Sequence, residues 1–149
     1  MRAIIDFWRQ SIGSLEEAQN MINGVSTFFI GYAFSALLIR IIIFLKAGGM
    51  QNIILLIFVS LYDGLILALA IAFRIQKEWF LLIPIVIFFT LDLLILLFGT
   101  RFIPFKITFI VIKGGLIIMG FKGIAAAYEY KERMHKKRLS NRERPNITE

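Results

Sequence analysis

The chain contains no cysteine and a single histidine, His135. The first absence removes disulfides, thiolate metal sites, iron–sulfur clusters and cysteine nucleophiles together. The second removes ligation by paired imidazoles. It also removes any Ser–His or His–carboxylate dyad from the apolar part of the chain, because His135 lies among basic residues near the C-terminus. Charge is scarce too: 18% of 149 residues are Asp, Glu, Lys or Arg, against about a quarter in soluble domains. No phosphate-binding loop or nucleophile–base motif is present. Asp63 and Asp92 could be imagined as a catalytic pair, but they lie in different apolar segments with basic partners available. The expectation is a chain that is not an enzyme and needs no metal or cofactor.

What is present is apolar: 58% of the residues are hydrophobic and the mean hydropathy is +0.78. These residues come in four blocks, each near the roughly 20 residues that cross ~30 Å of hydrocarbon. The blocks run over about 25–45, 53–73, 79–98 and 102–124. The linkers are short: Ala47 to Asn52, Arg74 to Glu78, and Gly99 to Arg101. Short linkers force antiparallel neighbours, so the sequence predicts an all-α integral membrane protein with four transmembrane helices in an up-down-up-down bundle spanning 25–127.

Orientation follows from the basic residues. With both termini in the cytosol, the inner side holds Arg2, Arg9, Arg74, Lys77, Lys122 and the seven basic residues of 128–149, twelve in all. The outer side holds three, Lys46, Arg101 and Lys106. The expectation is a multi-pass protein of the cell inner membrane with both termini cytoplasmic.

Residues 1–24 do not read as a cleavable signal, because Asp6, Arg9, Glu16 and Glu17 interrupt any apolar centre. Ile4, Trp8, Ile12, Leu15, Ala18 and Ile22 instead recur at steps of three and four. That spacing predicts an amphipathic interfacial helix, broken from the first span at Asn20 to Gly24. It would lie in the membrane surface, dock under the bundle or dock onto another protein. Residues 128–149 mix seven basic residues with four glutamates and predict a basic cytosolic tail, helical until Pro145. Its functional reading is a handle for a protein or for acidic lipid headgroups. Aromatic residues do not interleave with the charges, so nucleic acid is not expected as a partner.

The informative residues are the four charges inside the spans, each costly in hydrocarbon unless paired or hydrated. They are Arg40, Asp63, Asp92 and Lys113, one per span. At ~1.5 Å of rise per residue, Arg40 lies ~22 Å from the cytosolic end, Asp92 ~20 Å and Asp63 ~15 Å, with Lys113 between ~12 and ~21 Å. Matching depths pairs Arg40 with Asp92 and leaves Asp63 for Lys113. The set is neutral, which suits pairs that fix helix order and register. The functional alternative is a proton relay, an ion path or a substrate-binding patch.

Small residues supply the second pattern, since they let helix backbones approach closely in lipid. Ser60, Gly64, Ala68 and Ala72 recur every four residues in the second span. Thr27, Gly31 and Ser35 do so in the first. Gly114, Gly115, Gly120 and Gly123, followed by Ala125 to Ala127, supply a third such run in the fourth. Packing within the bundle accounts for all three, with a homo-oligomeric interface as the sharper alternative. Pro84 predicts a mild kink early in the third span, and Pro104 sits at an ordinary helix-start position.

The lipid bilayer is thus one partner, and another membrane protein or a second copy of the chain the other. The functional expectation is a non-catalytic inner-membrane protein acting by protein contact. Two roles fit: an accessory subunit of a membrane machine, or an immunity or exclusion protein that blocks an incoming conjugation apparatus. The alternative is a small homo-oligomeric transporter or channel using Asp63 and Asp92.

Overall fold

The computed structural model describes residues 12–46, 53–98 and 106–143. Four long helices account for nearly all of them: α1 Leu15–Lys46, α2 Ile53–Gln76, α3 Leu82–Phe98 and α4 Lys106–Glu143, with a 3-10 turn at Trp79–Leu81 leading into α3. There is no strand among the described residues. Leu15–Lys46, Trp79–Phe98 and Ile107–Ser140 are each long and apolar enough to cross a membrane. The described chain is therefore all-helical and compatible with a multi-pass membrane protein.

α1 starts where local chemistry dictates. The Ser14 hydroxyl accepts from the Glu17 backbone N–H (3.0 Å), while the Glu17 carboxylate accepts from the backbone N–H groups of Gly13 (2.7 Å) and Ser14 (3.0 Å). This reciprocal capping box satisfies the first free donors of the helix. From there α1 runs without interruption for 32 residues. The break expected at Asn20 to Gly24 is absent, and residues 15–24 belong to the first long helix rather than to a separate surface helix. Burial of Ala18, Ile22 and Val25 outweighs the roughly 1 kcal/mol that a glycine costs inside a helix. The expected face at Ile4 and Trp8, and the linkers at 47–52 and 99–105, lie outside the described residues.

α1 and α4 are the long elements, ~48 Å and ~57 Å at 1.5 Å per residue. Both overhang the same end of the bundle, called here the near end, because the start of α1 lies against the last third of α4. α4 continues through the segment from Tyr128 to Glu143. Pro145 lies outside the described residues. The helices form a square in which α1 packs between α2 and α4, α3 packs on α4, and α2 touches α3 only lightly. The core holds Ile22, Val25 and Phe29 of α1, Ile66, Ala70 and Phe73 of α2, Leu82, Ile85 and Phe89 of α3, and Leu116 and Ile124 of α4. Pro84 falls in the first turn of α3, where no intrahelical N–H bond is lost.

Close packing is carried by α4. A Cβ on Gly123 would sit 2.5 Å from Leu82 Cδ1 and 2.8 Å from Val25 Cγ1, and one on Gly120 would overlap Val86 Cγ2. Ala125, Ala126 and Ala127 follow, all fully buried. Only hydrogen fits at positions 120 and 123, which is how three helices converge on one level. The other small-residue runs behave differently. A Cβ at Gly31 or Gly64 would meet nothing within 4 Å, and neither would one at Gly114 or Gly115. Thr27, Gly31 and Ser35 face outward, as does Ala68, while Ser60, Gly64 and Ala72 are half-buried beside the face of α2 that the bundle uses. That face is Asp63, Ile66, Ala70 and Phe73. The run at Thr27, Gly31 and Ser35 is thus exposed along α1, while the run on α2 borders the face that the bundle uses.

Candidate functional site

The four charges within the helices come together in pairs, though not the pairs that depth alone selects. Arg40 Nε of α1 lies 2.6 Å from Asp63 Oδ2 of α2, and Lys113 Nζ of α4 lies 2.7 Å from Asp92 Oδ2 of α3. Arg40 with Asp92 and Asp63 with Lys113 would each have joined helices on a diagonal of the square. The backbones of α1 and α3, and those of α2 and α4, do not approach one another closely among the described residues. Depth gives one coordinate of a charge, and helix adjacency gives the other.

Tyr62, the residue before Asp63, links the two pairs. Its hydroxyl donates to Asp92 Oδ2 at 2.9 Å, the oxygen that also holds Lys113. Its ring packs edge-on against Phe88, with centroids 5.5 Å apart. A polar chain thus touches all four helices: Arg40 to Asp63, then Tyr62 to Asp92 to Lys113. Tyr62 also bridges α2 and α3, the least packed neighbours. The sequence signal for it was a tyrosine directly beside a buried acid.

Burial differs between the members. The Asp63 side chain is 1% exposed and its partner Arg40 38%, whereas Lys113 is 15% exposed and Asp92 35%. Each pair therefore has one shielded member and one that reaches the surface of the bundle. The long Arg40 stem lies along the α1 surface while its head reaches inward. Lys113 is embedded further by aromatic faces, its ammonium lying 4.8 Å from the Phe89 ring centre and 5.6 Å from that of Tyr32. Such contacts favour a cation removed from water. Phe89 also stacks on Phe29 and meets Tyr32 edge-on, closing the core beside the ion pair. The Arg40–Asp63 contact lies deeper, for Asp63 is buried and Arg40 is its ion-pair partner among the described residues.

A second polar region closes the near end. Arg133 of α4 donates to the backbone carbonyls of Ile12 and Gly13 at 3.0 Å each, and its Nε donates to Glu129 at 2.7 Å. Lys131 pairs with Glu78 in the link between α2 and the 3-10 turn. Lys77 donates to the Tyr130 hydroxyl at 3.1 Å, with its ammonium 4.4 Å from that ring's centre. One stretch of α4, residues 129–133, thereby ties down both the start of α1 and the α2–α3 link.

The described residues contain no group of three or more His, Asp or Glu side chains placed to hold a metal ion. No family model matches the chain, and comparisons with curated proteins and with solved structures return no match. The class rests on the molecule itself: an all-helical chain whose long apolar helices are compatible with a membrane.

Proposed function

We propose that the chain is a four-span inner-membrane protein, both termini in the cytosol, that acts by contact with other proteins and performs no catalysis. The observation that carries this reading is the state of the four charges inside the helices. Arg40 is held by Asp63 and Lys113 by Asp92, an arrangement that suits fixing which helix lies beside which. A transport carboxylate more often stands unpaired, so that it can titrate.

Two features support contact as the mode of action. The α4 extension reaches past the bundle into the cytosol in this topology. α1 presents an open groove of 750 Å3 lined by Gly24, Thr27, Gly31, Tyr32 and Ser35. Small residues there would let another membrane helix approach at close range. The excess of basic residues on the near-end side supports the orientation. An accessory subunit of a membrane machine, or an immunity or exclusion protein acting on an incoming conjugation apparatus, fits these features.

The test is photocrosslinking in native membranes, with photoreactive residues at Thr27 and Ser35 in the groove and at Lys137 and Leu139 on the α4 extension. A discrete adduct with one larger membrane protein is the expected result. Monomer alone from every position would overturn the contact reading.

The burial of a carboxylate at Asp63, 1% exposed within the helices, favours a second reading, a small homo-oligomeric transporter or channel that uses Asp63 and Asp92. An abundant, folded Asp63→Asn protein that has lost a measured proton or solute flux would support it. Unchanged flux would remove it.

A further inference from the structure

Where the α2–α3 link meets α4, the near end holds a cavity of 560 Å3 lined by Ile75, Lys77, Tyr130, Met134, His135 and Arg138, among others. Its charge balance is unusual for a place crossed by so many ion pairs. Glu78 neutralises Lys131. Lys77 lies on a phenol ring and hydroxyl, so its positive charge is oriented without being neutralised. Among the described residues no carboxylate pairs with Arg138. One wall is therefore cationic and rich in hydrogen-bond donors, while Ile75 and Met134 give the cavity an apolar side. Trp79 and Phe80, both exposed, follow the α2–α3 link in the chain, and aromatic side chains of this kind suit the level of lipid headgroups.

The backbone supplies a separate observation. Lys77 has φ 55°, the one positive value outside glycine among the described residues. It closes α2 through a bond from its N–H to the Phe73 carbonyl at 2.8 Å, the position where helices usually place glycine. A side chain in this conformation is strained, and glycine would relieve it. Strain of this kind persists where the side chain has work at that point. Here the side chain turns to Tyr130 and the cavity.

We propose that this cavity holds the phosphate-bearing headgroup of an anionic phospholipid, with Lys77 and Arg138 as the cations that bind it and Ile75, on the bundle side, receiving the start of the acyl chains. The inference rests only on the chain lying in a membrane, and it stands apart from the protein-contact reading. Basic pockets between helices at this level suit such headgroups.

The test uses the full-length protein in detergent and native mass spectrometry with phosphatidylglycerol or phosphatidylcholine added. Wild type is expected to retain phosphatidylglycerol about tenfold more strongly. Lys77→Gly with Arg138→Gln should bring the two lipids to parity. Lys77→Gly alone should leave the lipid-free thermal midpoint unchanged or higher, which separates lost binding from lost fold. Lys137→Gln, on the same helix but outside the cavity, should leave the preference intact. Equal retention of both lipids by wild type would overturn the proposal. So would a preference that survives the double substitution, or an equal loss with Lys137→Gln. Displacement of the lipid preference by inorganic phosphate alone would reassign the cavity to a free anion.

Discussion

At the near half of the bundle, α1, α3 and α4 meet where Gly120 and Gly123 let side chains of Val25, Leu82 and Val86 approach the α4 backbone. Further along, all four helices are joined in pairs through charged side chains, with Arg40 of α1 reaching Asp63 of α2 and Lys113 of α4 reaching Asp92 of α3. The two regions perform the same task by opposite means. Close packing needs the absence of side-chain atoms, and its strength comes from many dispersion contacts, each small. Ion pairing needs atoms at the end of long chains, and its strength lies in the cost of separating two charges once water is gone. The first is sensitive to a single methyl group. The second is sensitive to a single charge.

The largest effect expected is at the charged end. Arg40→Met leaves the buried Asp63 without its cation and should destabilise the bundle by about 3 kcal/mol, read as a lower unfolding midpoint in detergent. Adding Asp63→Asn should recover much of that loss. Adding Asp92→Asn instead should recover none of it, since Asp92 belongs to Lys113. A double-mutant cycle showing Arg40 coupled to Asp92 and not to Asp63 would break the pairing described here.

At the packed end the expected effect is somewhat smaller. Gly120→Ala and Gly123→Ala should each cost about 1–3 kcal/mol by overpacking. Gly31→Ala and Gly114→Ala, whose new methyl groups meet open space, should be near neutral in the isolated protein. Equal losses at all four positions would erase the distinction between the buried and the outward small-residue runs.

The bridge between the two charge pairs gives a smaller effect. Tyr62→Phe removes the hydrogen bond to Asp92 while keeping the ring against Phe88, so a loss of about 1 kcal/mol is expected. The smallest tests the cap that starts α1. Ser14→Ala should lower stability by up to about 1 kcal/mol. The amide exchange it raises should be confined to the first turn of α1. Exchange spreading to Gly24 would show that the start of α1 is a separate unit after all.

Much of this was legible in the sequence, because hydrocarbon thickness imposes a length and a composition on any helix that crosses it. The long apolar stretches and the four charges within them stood out, although α1 begins at Leu15 and α4 runs on to Glu143, well beyond the apolar stretches they contain. The start of α1 has its own signal in the sequence: Ser14 and Glu17 form a capping box four residues long, whereas the apolar spacing over Ile4 to Ile22 predicts a longer, separate helix. Periodicity reports a face, and caps report an end. Likewise, the interval of four at Ser60, Gly64, Ala68 and Ala72 indicates that these residues share a stripe, but not which way the stripe turns.

The sequence by itself determined that the chain is helical and apolar, and that its four internal charges sum to zero. Composition and period are properties of one segment at a time. Only the tertiary structure decided that Arg40 faces Asp63, that Tyr62 joins the two pairs, and that Gly120 and Gly123 make the close contacts while a Cβ at Gly31 or Gly64 would meet open space. It also decided that Lys77 turns its charge into a cavity beside Tyr130. These are relations between segments. They depend on the cyclic order of the helices and the rotation of each about its axis, and no local pattern encodes either one.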